Sequence, residues 1–475
     1  MVFLCEKQGG IFMLLGKQTC GQQTPMRKIK SKMFYTVLSV LLLFCACSVK
    51  GNEKEIVNDI SSDIQTELTV CAEESFRNSL KPVFDAFTGK YKIKISVEWV
   101  PALGSFSTDK SDERTSYLQR LKTQILAGDG PDVFIVSTSG TDFDILPNME
   151  RLMHNGVFQE LDKILIENTF EFEDVNSILL EAGQANGTQY VLPLCFQIDG
   201  ILLCDTSESN LRMEKDLENM STMQFYSYID DRYPEWRVQG QWHENLNNNM
   251  DAPVNFEDMN VDLFVHELPE LLQREVDSLN TKGIYRIPDL NAYLKEGAII
   301  DSPNGLPYIW GPVSRYLDYA AMTLINRTTP ILIPIPNADG QIYARITGIA
   351  AISRNCKNTT ASELLLTFLI SDRWQKKGTD VGSTVLYGFP IKKSAMKSWF
   401  QDETLTYLDK LPCERLNGQT LESFIIWYDK IEGAYFSFRP KEIAQLIYTN
   451  AETEQRISVE ELKKVEEILK RQLSE

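Results

Sequence analysis

Apolar residues switch between strand spacing and helix spacing over residues 68–136, which predicts alternating strands and helices. A short apolar strand at 68–71 precedes a helix with Pro82 in its first turn and Gly89 just past its end. The apolar stripe of that helix consists of Leu80, Val83, Phe84 and Phe87. Residues 93–99 then alternate apolar and polar side chains, which is the period of a strand.

A second unit of the same kind follows at once. Its helix carries an apolar face made of Leu118, Leu121, Ile125 and Leu126. The Gly-Asp-Gly-Pro sequence at 128–131 ends the helix, and residues 133–136 form a fully apolar strand. Because continuous apolar strands separated by helices are typical of parallel sheets covered on both faces, we predict such a sheet here.

The C-terminal part of the chain returns to a regular pattern. A helical stripe places Leu364, Leu365, Phe368 and Leu369 on one face. The chain ends in two amphipathic helices, the second opening with a capping box, Ser458-Val459-Glu460-Glu461. Between residues 205 and 305 the pattern is not regular enough to assign the turns.

The first 50 residues have the pattern of an export signal. Basic residues precede an apolar run at 33–44, and small residues follow. The sequence Phe44-Cys45-Ala46-Cys47 looks like a bacterial lipobox with Cys47 as the lipidated residue, although Leu is usual where Phe44 stands. A membrane-spanning anchor is the alternative, but the run is shorter than the roughly 18 residues that a spanning helix needs. Since residues 1–25 have no place in such a signal, we expect the true start at Met13 or Met26.

Composition narrows the classes of function. A net charge of −18 argues against nucleic acid as a partner, because that would call for a basic face. After Cys47 five cysteines remain, an odd count without a CxxC pair, so no disulfide framework is expected. They are Cys71, Cys195, Cys204, Cys356 and Cys413. The three histidines are too scattered to suggest a zinc site, and we expect no metal and no cofactor.

Several passages resemble one family, in that family's order. Residues 121–133 form a helix that ends in Ala-Gly-Asp-Gly-Pro-Asp-Val, 156–162 read Gly-Val-Phe-Gln-Glu-Leu-Asp, and 187–193 read Gly-Thr-Gln-Tyr-Val-Leu-Pro. Residues 331–336 are similar to the second crossing strand, and 347–353 are similar to the strand that precedes a helix start, here at Asn358. Residues 387–390, Tyr-Gly-Phe-Pro, are similar to the last crossing between lobes. This order resembles the carbohydrate-type extracellular solute-binding proteins of ABC importers, the family 1 group that includes maltose-binding protein.

The resemblance implies an α/β, two-lobed periplasmic-binding-protein-like fold of type II. Each lobe is then a mainly parallel sheet flanked by helices, joined by crossing hinge strands. We expect residues 1–46 to be leader and signal peptide and 47–66 an acidic tether. The first lobe is expected to contain 67–193 and 331–383, and the second lobe 194–330 and the C-terminal helices of 384–475.

In such a fold the ligand contacts come from strand ends that face the cleft. Glu73, Glu74 and Ser75 follow the first strand, and the alternative is that Glu74 and Ser75 only cap the next helix. Ser139 follows the strand at 133–136, where a plain turn is equally typical of Ser and Gly. Gln197 and Asp199 follow the first crossing, where the family often places a ligand-facing carboxylate or amide.

Aromatic and basic residues complete the candidate site. Tyr308 and Trp310 stand where the family commonly offers an aromatic platform, and an indole face suits the C–H face of a sugar, although a Trp is more often core. Tyr343, Arg345 and Thr347 form a weaker group. Arg345 can pair with a ligand carboxylate or with one of the many surface acids.

Enzyme signatures are missing from the sequence: it has no Gly-x-Ser-x-Gly elbow, no phosphate-binding loop and no HExxH helix. A glycoside hydrolase needs only two carboxylates, so the sequence alone does not exclude one. The resemblance implies a non-enzyme, a monomeric lipoprotein on the outer face of a Gram-positive cell membrane that delivers a sugar to ABC permease subunits. Two alternatives stay open, a ligand sensor for a membrane histidine kinase and a surface lipoprotein without a transport role.

Overall fold

A mixed β-sheet forms the centre of the protein in the computed structural model. The residues described are 67–102, 108–138, 144–203, 220–232, 254–256, 260–280, 308–313, 331–376, 386, 388–401, 418–438 and 440–474. The predicted signal peptide, Cys47 and nearly all of the tether lie outside them. Within the described residues no helix is both long enough and apolar enough to cross a membrane.

The strands are β1 (Glu67–Glu73), β2 (Lys94–Val100), β3 (Val133–Ser137), β4 (Gln184–Ala185), β5 (Thr188–Gln189), β6 (Val191–Leu203), β7 (Val254–Asn255), β8 (Asn260–Val261), β9 (Tyr308–Val313), β10 (Ile331–Pro334), β11 (Tyr343–Ile352), β12 (Phe389–Pro390) and β13 (Gly433–Phe436). The helices are α1 (Arg77–Tyr91), α2 (Thr108–Ala127), α3 (Met149–His154), α4 (Asp162–Glu167), α5 (Thr169–Phe172), α6 (Ser177–Glu181), α7 (Thr222–Arg232), α8 (Leu268–Asn280), α9 (Thr359–Ile370), α10 (Asp372–Gln375), α11 (Lys393–Gln401), α12 (Gly418–Asp429), α13 (Lys441–Thr453) and α14 (Val459–Ser474).

The main sheet has the order β10, β6, β11, β3, β1, β2, while β9 and β12 also pair with β6, and β13 with β11. Strands β1, β2 and β3 are parallel, as the two predicted βα units require. By contrast, β11 is antiparallel to both β3 and β6. The sheet is therefore mixed rather than mainly parallel. A continuous apolar sequence indicates that a strand is covered on both faces, but it does not give the direction of the neighbouring strands. The antiparallel pairing of β11 was therefore not predictable from the pattern.

Helix α1 differs from the predicted helix at both ends. It begins at Arg77, which places Pro82 inside the helix, and it ends with Lys92 in the left-handed conformation (φ 61°) instead of stopping before Gly89. The predicted stripe is buried, but Phe76 and Tyr91 also pack on the core. This additional packing extends the helix beyond the segment that the apolar stripe predicted.

Two predicted helix starts are confirmed by their caps. The Asn358 side chain accepts a hydrogen bond from the backbone N–H of Ala361 at the start of α9. At the start of α14, the Glu461 carboxylate accepts from the N–H of Ser458 (2.8 Å), while the Ser458 hydroxyl oxygen accepts from the N–H of Glu461 (3.3 Å). These hydrogen bonds from Ser458 hold the pKa of Glu461 below its ordinary value.

Two hydrophobic cores divide the apolar residues. The first surrounds the main sheet, and it includes residues of β12 and α12 as well as of β1, β3, β6 and β11. The second is formed by α7, α8, α13 and α14 together with the short strands β7 and β8. Strand β10 lies between the two cores, since Leu332 on one face belongs to the first core and Ile333 on the other face belongs to the second. The predicted lobe boundaries stay predictions.

Candidate functional site

Strands β6, β11 and β13 bring four polar side chains together. Gln197 and Asp199 are two residues apart on β6 and therefore share one face of the sheet. Arg345 of β11 is paired with Gln197, and Tyr435 of β13 is paired with Arg345. Register alone thus places an amide, a carboxylate, a guanidinium and a phenol side by side.

These side chains form a hydrogen-bonded network around Arg345. Its Nη2 donates to Gln197 Oε1 (2.7 Å) and lies 3.5 Å from Asp199 Oδ1, while Nη1 lies 3.5 Å from Ser437 Oγ. The Tyr435 hydroxyl donates to the second oxygen of Asp199 (3.1 Å). Asp199 is 1% exposed and Arg345 4% exposed, whereas Gln197 is only partly buried. Because a buried ion pair is stable only when its remaining donors and acceptors are met, these additional hydrogen bonds stabilise the pair.

Aromatic rings support the network from the opposite face of β6. Phe196, between Cys195 and Gln197 in the strand, packs against Phe389 and Phe424, with ring centroids 6.1 Å and 6.5 Å away. The rings of Phe389 and Phe424 are themselves 4.3 Å apart. Since these rings are buried and close-packed, β6 has little freedom to shift, which fixes the polar side chains in front of it.

A second buried ion pair lies at the carboxyl end of β1. Both oxygens of Glu73 accept hydrogen bonds from Arg114 of α2, at 2.9 Å each. Glu73 is 7% exposed, and burial raises the pKa of this carboxyl above its ordinary value even though the Arg114 hydrogen bonds oppose that shift. Glu73 belongs to the polar stretch predicted after the first strand, but its pairing with Arg114 was not predictable because that partner is 41 residues away.

The polar residues after β1 and β3 differ in their surroundings. Glu74 and Ser75 lie in a short 3-10 turn where Ser75 is exposed and Glu74 pairs with Arg77 (2.6 Å). The hydrogen bond from Arg77 lowers the pKa of Glu74. Ser139 lies outside the described residues. Its neighbour Thr138 donates from Oγ1 to the carbonyl of Ile346 (2.7 Å), which ties the end of β3 to β11.

Two further predicted residues lie on β11 near the network. The ring of Tyr343 packs directly against Gly433 on β13, where any side chain would collide with it. Thr347 lies at a register irregularity of β11 between Ile346 and Gly348, and its Oγ1 is 3.5 Å from Cys195 Sγ.

Tyr308 and Trp310 are placed through their backbone alone. They belong to β9, where they pair with Leu203 and Ile201 of β6. Their side chains lie outside the described part of the structure, so the aromatic platform stays a prediction.

Titratable groups near the network include one that the sequence did not suggest. Burial raises the pKa of Glu150, at the start of α3, to about 7, and the nearby backbone N–H of Phe436 opposes that shift. Cys71, Cys195 and Cys356 are thiols and not disulfide partners. Within the described ranges no three His, Cys, Asp or Glu side chains come close enough to hold a metal ion.

Comparisons with known proteins identify the fold. No family model and no curated protein matches the sequence. An extracellular solute-binding protein of family 1 from Alicyclobacillus acidocaldarius matches at a TM-score of 0.52 with 11% identity over 87% of this chain and 100% of that one. An ABC transporter solute-binding protein from Thermotoga lettingae, bound to α-D-tagatose, matches at 0.52 with 14% identity over 86% and 100%. The sugar-binding protein MalE of Xanthomonas citri matches at 0.54 with 10% identity over 86% and 97%.

The structural neighbours thus include extracellular solute-binding proteins of family 1 and sugar-binding proteins of ABC transporters. At these identities the likeness establishes the fold, and the chain has the two-lobed α/β fold of periplasmic binding proteins that the sequence predicted. These neighbours are binding proteins and not enzymes.

Proposed function

We propose that this chain is the lipid-anchored, extracellular substrate-binding subunit of an ABC transporter, which captures a sugar or oligosaccharide between two lobes. The observation that carries the proposal is the likeness in fold over about six-sevenths of the chain to receptors whose solutes include α-D-tagatose. The lipobox-like sequence that ends at Cys47 supports the anchor and a position on the outer face of a Gram-positive cell membrane.

The charge balance of the described polar residues supports a neutral solute. Arg345 faces Asp199, and Arg114 faces Glu73, so each of these two buried guanidinium groups has its own buried carboxylate. A site in which charges are already paired offers hydrogen bonds without net attraction for an anion or a cation. A polyol needs such hydrogen bonds, together with apolar area for its C–H faces.

The same pairing supports binding without chemistry. A glycoside hydrolase needs one carboxyl as acid and one free carboxylate as base or nucleophile. Both oxygens of Glu73 and both oxygens of Asp199 already accept hydrogen bonds from protein groups. In our proposal the protein therefore releases the solute without cleaving it.

The mechanism we propose is a population shift. The open form binds the solute with one lobe, and contacts from the second lobe stabilise the closed form. The closed form of this monomer then docks on the permease subunits. A hinge fits strand β10, which contacts one core with each of its faces.

A thermal-shift screen of the purified protein tests the proposal. The panel contains α-D-tagatose, D-galactose and maltotetraose, with amino acids, peptides and polyamines as controls. A ligand that binds only the folded state at a hundredfold excess over its Kd stabilises that state by about 2.7 kcal/mol. We expect a raised melting temperature with a saccharide and none with the controls; a shift with only the controls would contradict the proposal.

Trp310→Ala tests the predicted platform. We expect saccharide binding to weaken at least tenfold, which is about 1.4 kcal/mol, with little change in melting temperature. Isothermal titration gives the affinity, and chromatography of the recovered sugar shows whether it was cleaved. Unchanged affinity would remove Trp310 from the site, and cleavage products would contradict the assignment as a binding protein.

A further inference from the structure

We propose that Gln197 is a specificity-determining residue that presents an N–H donor to the solute, because Arg345 holds the oxygen of its amide. The proposal rests on the solute-binding function above and adds the polarity of one subsite. It predicts that an oxygen of the solute lies beside Gln197 and accepts a hydrogen bond from the amide N–H.

The geometry of the amide carries the proposal. A glutamine amide has one accepting oxygen and one nitrogen with two N–H groups. Gln197 Oε1 accepts from Arg345 Nη2 at 2.7 Å, which uses one lone pair of the oxygen and fixes the orientation of the amide. Among the described residues Nε2 donates to no protein group, and the side chain is only partly buried. Both N–H groups of the amide therefore remain for a solute.

Rotation of the amide by 180° is unfavourable. It would turn the N–H groups of Gln197 toward the guanidinium of Arg345, donor against donor, and would lose a charge-assisted hydrogen bond. Arg345 itself has little freedom, because Asp199 and Ser437 also contact it and it is 4% exposed. Arg345 thus acts as a positioning residue whose effect on the solute passes through Gln197.

The acceptors beside this amide are already used. Asp199 Oδ1 faces Arg345, and Asp199 Oδ2 accepts from the Tyr435 hydroxyl. Beside Gln197 the described side chains therefore offer the solute an N–H donor and no free carboxylate oxygen. The partner that fits is a ring, glycosidic or carbonyl oxygen, or a hydroxyl turned to accept.

The first test needs no ligand and compares Gln197→Glu with Gln197→Met. Glutamate keeps an oxygen for Arg345, whereas methionine has nearly the same size and no oxygen. We expect the Glu variant to melt at a clearly higher temperature than the Met variant. Equal melting temperatures, or a less stable Glu variant, would show that Arg345 does not hold the oxygen and would overturn the proposal.

The second test measures binding by isothermal titration with whichever of α-D-tagatose, D-galactose and maltotetraose stabilises the wild type most. Both substitutions remove the N–H groups, so we expect each to weaken binding at least tenfold, while the exposed Gln445→Glu changes nothing. Wild-type affinity in Gln197→Glu would overturn the donor role and leave the proposed function standing. If the wild type bound no saccharide, the proposed function would fail, and the ligand-free comparison would still decide the orientation of the amide.

Arg345→Lys tests the positioning role. Lysine keeps a positive charge beside Asp199 but loses the planar fork that holds the amide oxygen. We expect weaker saccharide binding, and we expect Gln197→Glu to cost less affinity in this background than in the wild type. Strictly additive losses would mean that Arg345 does not act through Gln197.

Discussion

Asp199→Asn removes the buried negative charge that faces Arg345 and keeps the shape of the side chain. Both residues are almost fully buried, and the carboxylate also accepts from Tyr435. Removing one partner of a buried ion pair costs roughly 3–5 kcal/mol, because the other charge stays in a site of low polarity. Arg345 keeps its hydrogen bond to Gln197, so we expect the low end, about 3 kcal/mol.

The expected change in melting temperature follows from the unfolding entropy. At about 2.1 cal/mol/K per residue, the roughly 400 residues from position 67 onward have an unfolding entropy of about 0.8 kcal/mol/K. A loss of about 3 kcal/mol therefore lowers the melting temperature by about 4 °C. Differential scanning calorimetry at neutral pH measures this shift.

Asp129→Asn is the matched control. Asp129 is exposed in the turn after α2, and the same loss of charge there is expected to leave the melting temperature unchanged. If Asp199→Asn and Asp129→Asn melted at the same temperature, the Arg345 network would not stabilise the fold, and our account of this cluster would be wrong.

Three further substitutions test other parts of the structure. Burial raises the pKa of Glu275 well above its ordinary value, so the folded state favours the neutral carboxyl. The stability that the neutral carboxyl contributes is therefore lost as pH rises from about 4.5 through the raised pKa. Glu275→Gln should therefore raise the melting temperature by a few degrees at pH 8 and hardly at all at pH 4.5, and an equal effect at both would contradict the burial argument. Arg114→Met leaves the buried carboxylate of Glu73 unpaired and should cost about 3 kcal/mol in calorimetry, whereas a loss below about 0.5 kcal/mol would mean that the pair is not buried in solution. Gly433→Ala forces the ring of Tyr343 out of place and should change the near-ultraviolet circular dichroism, with an unchanged spectrum arguing against that contact.

Local structure was predictable from the sequence where one short segment determines it. The two βα units depend on spacing within about 40 residues, and the caps at Asn358 and Ser458 depend on four-residue segments. The limits of α1 were not predictable, because they depend on how Phe76 and Tyr91 pack on distant elements.

The candidate site was predictable only as a set of separate residues. Gln197 and Asp199 follow the first crossing and Arg345 belongs to a separate, weaker group. The separation of 148 positions between Gln197 and Arg345 hides the hydrogen bond that joins them. Tyr435 has no local signature, since its role arises from strand register, and the pairing of Glu73 depends on a partner far along the chain.

Capture of a sugar between two lobes is the central claim, and small-angle X-ray scattering with and without the saccharide that binds tests it most directly. Closure around a hinge makes the molecule more compact, so we expect the radius of gyration to fall when the saccharide saturates the protein and to stay constant with a sugar that does not bind. The same radius at saturating saccharide would contradict capture by lobe closure.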